Sequence, residues 1–425
     1  VSDPLTLHLY RLATHLAAPA LPWYLRRRIK AGKEDPTRIS ERFGTPGKAR
    51  PPGPLVWLHG ASVGELVSIL PLAEGLVGRG FGVLVTTGTT TSAEVAASRL
   101  PQGVIHQFVP VDTPAATEKF VAHWRPDLAI FAESELWPNL IRAAKAGGAR
   151  LAIVNGRMSE RSLKGWSRHP GFIRALLRRF DLVLGQTGDD AARYALLGAA
   201  GASSAGNIKF DAPPLPVDEA ELARLKAALA GRPVFVAAST HPGEEEIVVA
   251  THLKVAAEVP GLVTVIAPRH PERGEAISTL AQAAGLPIAR RSQGAAISGQ
   301  TQLYIADTVG EMGLVYRLGG LAFVGGSFAP RGGQNPIEPA KLGVAVIHGP
   351  DVANFTEVYA AFDAAGGALE IAAPDALGPA VVELLSNPPR LAAMQRQAMA
   401  TADGLSGAVA RTLAALAALL PGQGA

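Results

Sequence analysis

The chain has 425 residues, 48% of them hydrophobic and 18% charged, with a formal net charge of +4 and no cysteine. That length predicts about two to three domains, each with its own core, and the composition excludes wholesale disorder. Disulfides and thiolate metal sites are excluded outright, which fits a reducing compartment. No cofactor is expected, and the ten histidines show no H-x-x-x-H spacing, so a dedicated transition-metal site is not expected either.

The charge is unevenly spread. Residues 1–50 carry ten Lys/Arg against four Asp/Glu, a local +6 that leaves −2 for the rest. This points to a partner of opposite sign at the N-terminus. No recognised nucleic-acid motif accompanies it, so nucleic acid is not the expected partner. Residues 5–25 are rich in Leu and Ala, but His8, Arg11, His15, Pro19 and Pro22 break any clean transmembrane span. The positive charges follow the apolar run instead of preceding it, unlike an ordinary signal peptide. An interfacial helix is expected, with Trp23 and Tyr24 at headgroup depth and Arg26 to Lys30 on anionic lipid. A plain amphipathic helix packed on its own domain is the other reading.

From Leu55 apolar strands alternate with helical segments, the strands falling at 55–59, 82–87, 104–109, 128–133, 150–154 and 182–186. A proline-rich passage, Asp211 to Pro216, reads as a stiff linker. The alternation then restarts with strands at 233–238, 262–267, 302–306, 321–325 and 343–347. The expected fold is α/β: two Rossmann-like, doubly wound parallel sheets, with ligands at the strands' carboxyl ends. The expected divisions are a helical segment over 1–45, a first domain over 46–212 and a second over 213–425. Whether the last helix, around 405–420, crosses back to the first domain stays open.

The chemistry-bearing residues lie just after predicted strand ends. His59 to Glu65 follows the first strand. Glu65 falls in the first turn of the next helix, where the dipole favours its ionised form, as a general base requires. Ser62-x-x-Glu65 is equally a capping box. Glu133 and Glu135 leave the fourth strand together, a pair hard to explain as core and able to bind sugar hydroxyls, orient a base or hold a cation. Arg157 and Arg161 begin a basic stretch, residues 157–179, with seven Lys/Arg against one Glu and with Trp166 and Phe172 interleaved. It suits phosphate groups on an amphiphilic acceptor; a solvated helix face accounts for part of it as well. Lys209 lies at the domain junction. In the second half Ser239-Thr240-His241, Pro268-Arg269 and Asp307 to Gly313 each follow a strand.

The last such stretch, Leu321 to Glu338, reads as strand, glycine loop and helix start. Gly332 and Gly333 leave N–H groups to face an anion. Asn335 is expected as N-cap, Pro336 as the first helical residue and Glu338 as the acid of a capping box. A nucleotide phosphate on the loop with a ribose on Glu338 competes there with a plain helix start.

In these stretches, taken in order, the sequence resembles the 3-deoxy-D-manno-octulosonic acid (Kdo) transferases of lipopolysaccharide synthesis. The resemblance implies a GT-B glycosyltransferase that uses CMP-Kdo and a lipid A precursor without a metal, at the cytoplasmic face of the inner membrane. It implies Glu65 as the general base, supported on the acceptor side by Ser62, Gly64, Glu133, Glu135, Arg157 and Arg161. The donor would be held by Arg269, Met312, Gly313, Asn335 and Glu338, with Lys209 reaching it. Ser239, Thr240, His241, Pro268, Gly332 and Gly333 would complete the donor site. Gln334 stands where His is expected, and Met312 where leucine is common. Competing readings are another GT-B nucleotide-sugar enzyme, such as an epimerase, and a two-lobed binding protein. A dinucleotide oxidoreductase is disfavoured, since no strand leads into G-x-G-x-x-G.

Overall fold

The computed structural model describes residues 3–422 and divides into two compact units. One comprises the chain up to Ala212 together with residues from Leu405 onward; the other is Pro213–Gly404.

The first unit is built on seven strands: β1 (Leu55–His59), β2 (Gly82–Thr87), β3 (Ile105–Phe108), β4 (Leu128–Ala132), β5 (Arg150–Gly156), β6 (Leu182–Gly185) and β7 (Ser203–Ser204). All pair in parallel, in the order β3-β2-β1-β4-β5-β6-β7. β1 shows why the strands read as unbroken apolar runs. Leu55 and Trp57 enter the core on one face, while Val56 and Leu58 enter the core on the other. Burial on both faces is the condition of a parallel sheet under two helical layers. Each such Leu or Val contributes about 1.5–3 kcal/mol of transfer free energy.

The second unit repeats the plan with β8 (Val234–Thr240), β9 (Val263–Pro268), β10 (Ile288–Arg290), β11 (Leu303–Ile305), β12 (Leu321–Val324), β13 (Ala345–His348) and β14 (Ala368–Glu370). Their order is β10-β11-β9-β8-β12-β13-β14, again all parallel. Phe235 and Ala237 of β8 face one core, Val236 and Ala238 the other.

In each sheet the strand order reverses beside the first strand, between β1 and β4 and between β8 and β12. At such a switch point neighbouring loops diverge, which opens a crevice at the carboxyl ends. The loops after β1, β4, β8 and β12 carry most of the residues singled out from sequence.

Two features differ from the sequence reading. The stretch at 5–25 is not one helix: Leu5–Ala17 and Leu21–Lys30 are separated by a 3-10 turn, Ala18–Ala20. Pro19 and Pro22 each fall at a helix start, where a missing N–H costs nothing. Leu7 is buried and Tyr10 donates to Asp112 at 2.9 Å, so one face packs on the first unit. Leu5, Leu9, Leu12 and Leu16, which recur at helical spacing, stay exposed, as do Trp23 and Tyr24. The second difference concerns the linker. Its end is no free spacer, because Leu215 packs on a core of the second unit and its carbonyl accepts from Arg317 at 2.7 Å.

The last helix, Ala408–Leu416, belongs to the first unit. Ala408, Leu413 and Leu416 join the core of Leu66, Ile69 and Leu76. The stretch Pro388–Leu419 is long and apolar enough to cross a membrane. It is two helices, however, broken at Ser406–Gly407 with Gly407 at φ 87°, and Ala398, Ala402, Ala408 and Leu416 are fully buried.

Candidate active site

In the first unit three carboxylates gather at the switch point. Ser62 caps the helix Val63–Val77, and the expected capping box forms. Ser62 Oγ accepts from the Glu65 N–H at 3.3 Å, and Glu65 Oε2 accepts from the Ser62 N–H at 3.0 Å. Glu65 is half-buried. Burial pushes its carboxyl up, the Ser62 N–H opposes this, and the charges of Glu135 and Glu133 push it further up. Capping and base chemistry are therefore compatible, since the second carboxylate oxygen is not used by the cap.

Glu133 has φ +54°, unusual for a side chain larger than Asn. That turn at the end of β4 carries its carboxylate to Lys209 Nζ at 2.6 Å, while Tyr194 donates to its carbonyl at 3.0 Å. Glu135 takes the Trp137 indole N–H at 2.6 Å and lies 3.5 Å from His59 Nε2. Burial opposes ionisation of Glu135, but the His59 and Trp137 contacts outweigh it and hold the carboxyl below the usual range. The neighbouring Glu65 and Glu135 are thus pushed in opposite directions, a signature of acid–base sites. Gly64 lies in the capped first turn beside Glu65.

Arg157 and Arg161 do not join this cluster through their side chains. Both are exposed, and among the described residues neither guanidinium makes a hydrogen bond or ion pair. Arg157 enters only through its carbonyl, which accepts from Ser134 Oγ. The basic stretch adjoins the N-terminal helices. Arg179 pairs with Asp3, and Phe172 packs edge-on against Tyr10 at 6.0 Å and stacks on Trp166 at 6.2 Å.

In the second unit Ser239, Arg269, Met312, Gly313, Asn335 and Glu338 line one cavity of about 330 Å³. Four separate stretches of sequence supply these six residues. Ser239 sits at φ +54°, which bends the end of β8 toward the cavity. Arg269 is exposed there, with its backbone N–H held by the Thr240 carbonyl at 2.9 Å. Burial pushes the Glu338 carboxyl up, against the Asn335 hydrogen bond and the Arg269 charge. An uncommitted guanidinium beside a carboxyl and an amide can take a phosphate together with a sugar hydroxyl.

The remaining donor-side residues do not line that cavity. Thr240 and Pro268 are buried at the ends of β8 and β9, and the His241 ring turns to His270. Lys209 lies in the first unit, on Glu133. The glycine loop needs a correction. Its N–H groups at Gly332 and Gly333 are not free for an anion, because they donate to Asp351 Oδ2 at 2.9 Å and to the Gly326 carbonyl at 2.8 Å. The helix start is corrected as well. The helix is Ile337–Ala340 with Pro336 before it, and no reciprocal capping box forms. Asn335 Oδ1 instead accepts from the Ile337 N–H at 3.1 Å, an Asx turn, and its amide donates to Glu338 at 3.3 Å.

Three residues fall within or beside the strand-end stretches of the sequence but carry no role in a reading of spacing. Glu244 is 1% exposed and bridges the loops after β8 and β12. Asn155, at φ +52°, accepts from the Ile208 N–H at 3.0 Å and so fixes the segment that carries Lys209. His59 is fully buried, its Nδ1 on Thr86 Oγ1 at 2.9 Å and its other nitrogen toward Glu135. Their one sequence signal is a polar residue at the end of an apolar strand or the start of the helix after it.

A family model described as 3-deoxy-D-manno-octulosonic-acid transferase (kdotransferase) matches residues 37–212. Over 425 aligned residues the chain is 38% identical to the 3-deoxy-D-manno-octulosonic acid transferase of Bordetella pertussis, covering 96% of this chain and 98% of that protein. This chain belongs to the Kdo transferase family. It is a glycosyltransferase with the GT-B fold. A further relative of this Kdo transferase, the probable mitochondrial 3-deoxy-D-manno-octulosonic acid transferase of Arabidopsis thaliana, is 35% identical over 94% of this chain and 93% of that one. Among solved structures, the fold is shared with the UDP-GlcNAc 2-epimerase of Neisseria meningitidis (TM-score 0.58, 14% identity, 86% of this chain and 99% of that one). It is shared equally with a glycosyltransferase of Rickettsia africae (TM-score 0.58, 11% identity, 88% and 100%).

Proposed function

We propose that the protein transfers Kdo from CMP-Kdo to a lipid A precursor in lipopolysaccharide synthesis, by direct displacement with Glu65 as general base and no metal. The observation that carries this is the convergence of Ser239, Arg269, Met312, Gly313, Asn335 and Glu338 on one cavity in a Kdo transferase.

The roles divide by unit. In the second, Arg269 would neutralise charge on the departing CMP phosphate, and Asn335 and Glu338 would hold the nucleoside. In the first, the acceptor hydroxyl would give its proton to Glu65 as it attacks the anomeric carbon; the C–O bond to Kdo forms as the bond to CMP breaks. Glu65 suits the task because burial and its acidic neighbours raise its affinity for a proton, which strengthens it as a base. Glu135 and the Glu133–Lys209 pair would orient the reacting groups.

The exposed Leu5, Leu9, Leu12 and Leu16, with Trp23 stacked under Arg27 and Tyr24 under Arg28, favour a membrane-surface helix pair that delivers the lipid acceptor. The cytoplasmic face of the inner membrane is the surface proposed. The test is incubation with CMP-Kdo and tetraacylated lipid A precursor, with product mass as readout. Absence of any added Kdo would overturn the proposal.

A further inference from the structure

The glycine loop after β12 already holds an anion, and that anion is part of the protein. Glu244 is 1% exposed. Its Oε2 accepts from the N–H groups of His241 at 2.9 Å and Gly326 at 2.8 Å, and its Oε1 from those of Ser327 and Phe328 at 3.0 Å each. Among the described residues it pairs with no cation. With the Ala329 N–H at 3.5 Å from Oε1, five backbone donors converge on one buried carboxylate, the same kind of nest that binds phosphate in other loops. Bonds to an ionised acceptor are among the stronger ones a backbone can make.

The bonds continue from the nest toward the cavity. The carbonyls of Gly325 and Gly326 accept from the N–H groups of Gln334 at 3.2 Å and Gly333 at 2.8 Å. Gln334 and Asn335 then line the cavity with Glu338. Gly325 leaves room for this approach, since a Cβ there would stand 2.9 Å from Glu244 Oε2 and 2.7 Å from the Ser239 carbonyl. One carboxylate thereby ties the end of β8, which carries Ser239, to the loop that ends in Asn335.

We propose that Glu244 is a positioning residue for the nucleotide cavity. It acts as a resident anion that fixes the glycine loop, so that the loop's N–H groups serve the protein's own carboxylate and the ligand's phosphate falls to Arg269. This rests on the reading of that cavity as the CMP site. A competing arrangement, in which the ligand's phosphate displaces Glu244 from the nest, predicts effects of opposite sign.

The test uses the full chain with Glu244→Gln and Glu244→Ala, checked for folding by circular dichroism. Hydrogen exchange of residues 326–334 without ligand is expected to quicken about tenfold in Glu244→Gln, the equivalent of losing one net hydrogen bond. The Kd for CMP and the KM for CMP-Kdo are expected to rise about tenfold, with kcat and acceptor KM within threefold. In Glu244→Ala, 100 mM acetate is expected to restore part of the CMP affinity by refilling the nest. Unchanged or tighter CMP binding in a folded Glu244→Ala would overturn the proposal, as would unchanged exchange in Glu244→Gln. Because exchange is read without ligand, altered exchange in a protein whose wild type fails to bind CMP would reject the CMP reading and keep the positioning role. If Glu244→Ala does not fold, Glu244→Gln carries the test.

Discussion

Replacement of Gly313 by Ala tests the donor cavity through its wall. Gly313 opens the helix Met312–Leu318 and faces the end of the proline-rich linker. A Cβ at this position would lie 3.0 Å from the Leu215 carbonyl oxygen and 3.1 Å from its carbon, and closer still to the Pro216 oxygen. Carbon–oxygen contacts settle at about 3.3–3.6 Å, so Leu215 and Pro216 must retreat. The obstacle is backbone, so no rotamer change relieves it. Arg317 opposes the retreat, because its guanidinium clamps the Leu215 and Gly313 carbonyls at 2.7 and 2.8 Å. Either the clamp breaks or the wall stays overpacked, and each costs about 1–3 kcal/mol. For a unit of this size about 2 kcal/mol lowers Tm by roughly 4–8 °C. Leu215, Pro216 and Gly313 all line the cavity, so CMP affinity should fall with stability. Calorimetry reads both: a scan following the transition that CMP shifts, and a titration with CMP. Wild-type values for both would refute the reasoning, since the linker would then not be held against this helix in solution.

Glu65→Gln retains a cap acceptor for Ser62 but removes the proposed base, so turnover should fall by about 10²–10⁴ while CMP binding, read by calorimetry, stays unchanged. Because the base must be ionised, activity is lost as pH falls through the Glu65 pKa. Burial and its acidic neighbours push that pKa up, so the acid limb of kcat/KM should lie above the ordinary glutamate range; a limb at the ordinary range would count against Glu65. Lys209→Met leaves the Glu133 charge uncompensated beside Glu65 and should move the same limb upward. A lowered plateau with an unmoved limb would show that Lys209 acts on the donor instead. Reversing Arg26, Arg27 and Lys30 to Glu should weaken sedimentation with anionic vesicles by at least about 3 kcal/mol, or 150-fold, at about 1 kcal/mol per basic residue. Undiminished binding would leave the exposed leucines as the sole contact.

How far the fold and site could be read in advance depended on which interactions are local. Strands such as 55–59 and 82–87 were legible because burial on both faces forces uninterrupted apolar residues. The edge strands Ser203–Ser204, Ile288–Arg290 and Ala368–Glu370 were not, being two or three residues long and partly exposed. The Ser62–Glu65 cap was legible because both partners lie within one helical turn. The glycine loop was misread for the opposite reason. The N–H groups singled out, those of Gly332 and Gly333, go to Asp351 and to the Gly326 carbonyl; those that converge on a buried carboxylate belong to Gly326, Ser327 and Phe328, and that carboxylate lies 82 positions upstream of Gly326, at Glu244. Spacing shows that a donor needs a partner; only the pairing of β8 with β12 shows which partner stands within reach. The same holds at the catalytic end, where the helix cap alone could not distinguish Glu65 from any capping glutamate. Its raised proton affinity comes from burial and from Glu133 and Glu135, which β4 brings beside β1 across the switch point. A capping box becomes a candidate base only where the topology sets other carboxylates against it.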